Sequence, residues 1–292
     1  GQATYTFIID SDMRSKISFK AIDVAGRVSE KKENGQTLVV DLTAPEITVS
    51  YDYGENTPYL VEDVTYTQGE FVAEFKITEE NFDLAKANGT LPEVIINDMS
   101  VALTWTEAST GVWEASQVVK TAGINEIVVK YTDLSDNTME EYTNKICIDG
   151  VKPVLSVKFD NSESDGIYAT KRVATITVTE EYFDAQRVEF IVTAKNILGN
   201  TVALPDYAAY LNNESNWVKQ GSVYTATLEL GDDVAYDGIY DITFDYVDYA
   251  GNKADTWTDS FVIDHTPADN IKIVYSSSIL DKVLNTLTFG LY

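Results

Sequence analysis

Three aspartates stand at the same place in a phrase that this chain repeats. Ile22-Asp23-Val24-Ala25-Gly26-Arg27 returns as Thr132-Asp133-Leu134-Ser135-Asp136-Asn137, and again as Val247-Asp248-Tyr249-Ala250-Gly251-Asn252. Two chemistries suit such a phrase. An Asp side chain at a strand end accepts backbone N–H bonds from the turn that follows, and Gly26 or Gly251 supplies a positive φ. Alternatively, hard cations collect six to eight oxygens, and Asp133, Asp136, Asn137 and Asp149 would offer a calcium ion a partial set near one pole of a domain. No dense Asp-x-Asp-x-Asp loop is present, so the turn reading ranks first and calcium second.

The other chemical candidates are fewer. Glu79-Glu80 and Glu180-Glu181 have the residue type of a glycosidase acid and base. Adjacent residues at a helix start point apart, however, and the pair recurs at one structural position, as a shared capping feature would. His265 is the single histidine and Cys147 the single cysteine, so neither a catalytic triad nor a zinc set can be assembled. No Gly-rich phosphate loop is present. These counts speak against an enzyme and against any required cofactor.

A difference between repeats is the strongest hint of binding. From Asp83 to Asp133 is 50 residues, but from Asp184 to Asp248 is 64. The additional length falls near 196–223 and carries Tyr207, Tyr210 and Trp217. Aromatics on loops supply contact area at low entropy cost, although a cap over the core with the rings buried ranks slightly ahead of that reading. A second long segment, 53–69, carries Tyr53, Tyr59 and Tyr66. These six aromatics are the candidate ligand-binding residues.

The elements that position all these groups follow from period-2 alternation. Ile17, Phe19 and Ala21 share one face of a strand, as do Ile127, Val129 and Tyr131, and Ile242, Phe244 and Tyr246. Ala73, Phe75 and Ile77 are matched by Ala174, Ile176 and Val178. Strands are expected near 46–52, 71–78, 93–98, 100–106, 111–118, 125–132 and 139–148. One helical turn per unit is expected at 79–84 and 180–185, capped by Thr78 or Thr179, with Phe82 and Phe183 as plugs over the end of each sandwich. A second repeated phrase, Asp41-Leu42-Thr43-Ala44-Pro45, returns as Asp149-Gly150-Val151-Lys152-Pro153 and as Asp264-His265-Thr266-Pro267. Asp41 to Asp149 spans 108 residues and Asp149 to Asp264 spans 115, so each repeat is a whole domain and not a solenoid unit. The fold class is therefore all-β, with tandem immunoglobulin-like β-sandwiches in an elongated array. The divisions are 1–43, the last strands of a repeat; 44–150 and 151–265, two complete domains; and 266–292, the start of another. The leading and trailing pieces suggest a segment cut from a longer array, or pieces that complement one another between molecules.

The Asp-x-Ala-Gly-Asn turn, the Asp-x-Thr-x-Pro junction 12 residues further on (Asn252 to Asp264), and the Thr-Glu-Glu-x-Phe-Asp segments together resemble the bacterial immunoglobulin-like repeats of Gram-positive cell-surface proteins. The second unit departs from that pattern with Asp136 in place of glycine, and the third places its proline one residue early, at Pro267. The resemblance implies an extracellular, wall-associated multidomain protein. Such arrays act as stalks or bind host proteins, glycans or neighbouring cells.

The totals set further bounds. Net charge is −26, which disfavours nucleic acid and anionic membrane surfaces. No run of 18 apolar residues exists to cross a membrane, and no signal peptide opens the sequence. A lone cysteine allows no internal disulfide, which fits bacterial export or a cytosolic protein better than a eukaryotic secreted domain. The leading functional expectation is a non-enzymatic module for adhesion or binding of a host protein or glycoprotein, host immunoglobulin among the candidates. A pure spacer is the alternative and a carbohydrate-binding module ranks third.

Overall fold

Alternating inward residues become paired strands throughout the computed structural model, which describes residues 4–163 and 165–267. These divide into two units. The first takes the described residues up to Val151 together with Tyr249–Asn252, and the second takes the remainder. The beginning of a further repeat expected at 266–292 lies, from 268 on, outside the described residues.

The first unit opens with a hairpin of β1 (Met13–Phe19) and β2 (Lys32–Val40), whose register shifts between Lys16 and Ser18. There follow β3 (Glu46–Asp52), β4 (Tyr59–Val61), β5 (Val64–Thr67), β6 (Phe71–Thr78), α1 (Phe82–Asn88), β7 (Glu93–Ile96), β8 (Met99–Val101), β9 (Thr106–Ser109), β10 (Val112–Val119), β11 (Gly123–Lys130) and β12 (Tyr142–Ile148). One sheet runs β3-β6-β10-β9 and the other β4-β5-β12-β11-β7-β8. The first is the A-B-E-D order of an immunoglobulin domain, and β7-β11-β12 is its C-F-G order. Between the sheets lie Ala73, Phe75, Ile77, Ile127 and Val129, each fully or almost fully buried.

Three details depart from the sequence expectations. The strand expected at 100–106 is two strands, because the chain leaves β8 in one sheet and enters β9 in the other. Asn97 and Asp98 take positive φ in the tight turn between β7 and β8, the geometry that twists in the same sense as the strands. The 53–69 segment is not merely a long connection: β5 adds in parallel to β12. In the leading hairpin, Phe19 and Ala21 face outward, where alternation suggested an inner face. Among the described residues no second sheet lies over them.

The second unit contains β13 (Val154–Phe159), β14 (Ile167–Tyr168), β15 (Arg172–Thr179), β16 (Val188–Lys195), α2 (Tyr207–Leu211), β17 (Val218–Gln220), β18 (Val223–Leu230), β19 (Gly238–Tyr246) and β20 (Trp257–Ile263). Its sheets run β13-β15-β18-β17 and β14-β20-β19-β16, the same topology with a shorter outer edge. Ala174, Ile176, Val178, Ile242, Phe244 and Tyr246 fill its core.

The helical turns are differently capped than the sequence suggested. Thr78 and Thr179 stay in their ladders, paired with Val112 and Val223, so neither can act as a cap. Asn81 is the N-cap of α1 and makes no side-chain cap bond, while Asp184 caps a 3-10 turn at Ala185–Arg187 through Gln186 N.

Candidate functional site

Three chain segments of the first unit end at one place. Asp41 follows β2, Glu79 follows β6, and Asp133 follows β11 after the Thr132–Thr138 bridge. One carboxylate oxygen from each lies within 4.8 Å of the other two. Glu79 and Asp133 are buried and Asp41 is partly so.

Each carboxylate is held from behind by the local fold. Asp133 Oδ1 accepts from Ser135 N (2.8 Å) and Asn137 N (2.9 Å), and Oδ2 accepts from Asn137 Nδ2 (2.9 Å). Asn137 Nδ2 also donates to the Asp41 carbonyl (3.2 Å). Asp41 Oδ2 accepts from Asn81 Nδ2 (2.8 Å), and Glu79 Oε1 accepts from Asn81 N (2.7 Å). The turn expected from the sequence is therefore real, and Asp23 repeats it with Ala25 N and Arg27 N. Asp136 takes φ 64° at the position that Gly26 and Gly251 fill with 79° and 84°.

Charge and burial conflict at this place. Burial pushes the Glu79 carboxyl up to about 7; its bond from Asn81 opposes the rise, and the neighbouring Asp41 and Asp133 add to it. The Tyr131 hydroxyl is raised by burial first, then by Glu79, Asp133 and Asp41. Tyr131 is 4% exposed, and among the described residues neither its hydroxyl nor the buried Asn81 Oδ1 has a hydrogen-bond partner. A cleft lined by Asp12, Arg14, Asp41, Thr43, Glu79 and Asn81 leads to the carboxylates. Such a set of oxygens is suited to binding a hard cation or sharing a proton.

The calcium candidates from the sequence are distributed as follows. Asp133 belongs to the trio. Asp136 is exposed on the outside of its turn. Asp149 is not near Asp133: Val129 pairs with Tyr142 and Gly123 with Ile148, so the two aspartates lie at opposite ends of the β11–β12 ladder. That ladder is about 20 Å long at roughly 3.3 Å per residue. The one-pole grouping of Asp133 and Asp149 is thus corrected. The sequence alone did not group Asp41, Glu79 and Asn81 with Asp133, because the glutamate reads as a capping residue and Asp41 only as the start of a repeated junction phrase. The available signal was the joint recurrence of three acids, Asp41, Glu79 and Asp133, as Asp149, Glu180 and Asp248.

The aromatic candidates divide by burial. Tyr207 and Trp217 belong to the core of the second unit at 7% and 8% exposure, and Trp217 Nε1 donates to the Leu211 carbonyl (2.7 Å). That burial agrees with the cap reading of the lengthened segment and corrects the expectation that these two rings present a binding surface. Tyr210 is exposed. In the first unit Tyr53 is half-buried against Tyr51 and Phe71, Tyr59 is exposed, and Tyr66 is buried with its ring centroid 5.1 Å from that of Tyr249. The structure does not gather the six rings into one patch within either unit.

No protein-family model matches this chain, and no curated protein matches it. Among solved structures it is similar to the fibronectin(III)-like modules of Clostridium thermocellum CbhA, at 12% identity and TM-score 0.30, over 78% of this chain and 100% of that one. It is similar to the Yersinia pseudotuberculosis adhesin InvE at 13% identity and TM-score 0.32, over 73% of this chain and 60% of that one. The Escherichia coli adhesin FdeC is similar at 13% identity and TM-score 0.33, over 86% of this chain and 74% of that one. Scores at this level carry no argument about function, and the immunoglobulin-like assignment stands on the strand orders themselves. Among the described residues, no helix is long and apolar enough to cross a membrane.

Proposed function

We propose that this chain is a non-enzymatic, extracellular immunoglobulin-like region of a bacterial surface protein, serving as a stiff spacer that presents other surfaces for adhesion. The observation that carries the reading is the fastening of the Asp41–Pro45 connection inside the first unit. Arg14 grips Asp83 with two bonds of 2.8 and 2.9 Å, Asn81 and Asn137 hold Asp41, and Asp12 accepts from Leu42 N (2.7 Å) and the Thr43 hydroxyl. A connection closed by that many bonds resists bending, which a spacer requires and a flexible tether does not. The acidic surface, with its net charge of −26, favours solubility and self-repulsion in a crowded wall.

Direct binding of a host protein or glycoprotein, immunoglobulin included, is the second reading. One observation favours it: Ile197 and Leu198, at the start of the lengthened segment, are 91% and 80% exposed on a tight turn. The two readings separate in a capture experiment with host secretions, using the full chain and an Ile197→Ser/Leu198→Ser variant. The spacer reading expects no stoichiometric ligand for either. A ligand retained by the parent chain and lost from the variant would replace it with the binding reading.

A further inference from the structure

We propose that Asp41, Glu79 and Asp133, with the side-chain carbonyl of Asn81, form a calcium site at the end of the first sandwich. The inference stands apart from the choice between spacer and binder, because it rests on the trio alone.

Four observations carry it. First, carboxylate oxygens within 4.8 Å of one another fit a shell of radius about 2.4 Å around a calcium ion, since oxygens on opposite sides of such an ion are about 4.8 Å apart. Second, polar groups are left over beside the acids. Tyr131, two residues before Asp133, is nine-tenths buried, and among the described residues its hydroxyl has no hydrogen-bond partner. The equivalent hydroxyl in the second unit, Tyr246, accepts from Asp184 N at 2.9 Å. Asn81 Oδ1 is likewise buried without a donor, while its Nδ2 is engaged by Asp41. Buried oxygens that find no donor are costly, and a cation with its bound water would satisfy both.

Third, the turn does not need the full charge of Asp133. Asn196 builds the same turn in the second unit, accepting from Leu198 N and Asn200 N at 3.0 Å each, with an amide in place of the carboxylate. The second oxygen of Asp133 is therefore surplus to turn formation. Fourth, among the described residues no cationic side chain forms an ion pair with any of the three, although Arg14 stands close by on Asp83. Two buried acids and a partly buried third repel one another without a counter-charge. Magnesium usually keeps several waters and takes one or two carboxylates, whereas three carboxylates with an amide oxygen suit calcium.

The test uses the full chain after exhaustive dialysis against a chelator. Calorimetric titration with calcium chloride is compared for the parent chain, Glu79→Gln and Asp41→Asn, with circular dichroism confirming that each variant is folded. Glutamine keeps the oxygen that accepts from Asn81 N and loses the charge, so the first variant preserves the local bonds. The same residue types recur in sequence at Asp149, Glu180 and Asp248, so the readout is the difference from the parent. The expected result is saturable calcium binding by the parent and the loss of one equivalent, or at least a tenfold weakening of it, in both variants. Magnesium should bind more weakly than calcium. Absence of saturable calcium binding in the parent overturns the proposal. So does binding of the same number of ions with parent affinity by both variants, or preference for magnesium.

Discussion

Phe82 is the residue whose removal tests the packing argument most directly. It is 0% exposed and its ring centroid lies 5.0 Å from Trp113, 5.7 Å from Trp105 and 5.7 Å from Tyr131. Those partners come from β10, the β8–β9 connection and the strand end that carries Asp133, so one ring joins both sheets to the floor of the carboxylate site. The Phe82→Ala change removes the ring and leaves a cavity among rigid aromatics that cannot collapse easily. The cost expected for such a change is about 3–5 kcal/mol. Against a total domain stability of about 5–15 kcal/mol, the first unit would remain folded but open far more often. Hydrogen exchange read by mass spectrometry follows each unit separately. Amides of β6, β10 and β11 should exchange roughly a hundred to several thousand times faster at the global limit, since each 1.4 kcal/mol is tenfold. Amides of β15, β18 and β19 should keep their rates, because the second unit has its own core. An acceleration below tenfold in the first unit would refute the role given to Phe82. Equal acceleration in both would refute the independence of the two cores.

Three further outcomes are expected. Glu79 has a folded pKa raised from 4.5 to about 7, so its favourable contribution is complete below the unfolded value and is lost as pH rises through 7. In chelator-treated protein, Glu79→Gln should accordingly stabilise the first unit at pH near 8 by up to about 3 kcal/mol and by little near pH 5, as urea denaturation at the two pH values would measure. Asp136 occupies the left-handed region, which costs an L-residue about 1 kcal/mol, so Asp136→Gly should raise the unfolding midpoint; a lowered midpoint would mean that its side chain holds the turn. The buried Arg172 guanidinium lies 3.6 Å from the Phe159 ring centre and 3.9 Å from that of Tyr168. Arg172→Lys keeps the charge but loses the flat stack and should cost the second unit about 1–2 kcal/mol in a thermal melt, with no loss counting against the stacking account.

Much of this protein was legible in its sequence. Alternation at Ala73, Phe75 and Ile77, and again at Ala174, Ile176 and Val178, specifies which face is buried, because successive side chains on a strand point to opposite sides. The recurring Asp turn was readable because its bonds close within four residues: Asp133 reaches Ser135 and Asn137 and nothing further is needed. What the tertiary structure alone decided depends on distance along the chain. Asp41, Glu79 and Asp133 are 38 and 54 residues apart. Only the convergence of three chain segments brings their charges together, and only burial makes that proximity costly. The parallel addition of β5 to β12 and the crossing from β8 to β9 are likewise choices between sheets, which a strand's own residues do not record. Tyr207 and Trp217 have the same composition whether they cap a core or face a partner. Their burial was fixed by the surrounding sheet, because a ring is hidden only when another element arrives to cover it.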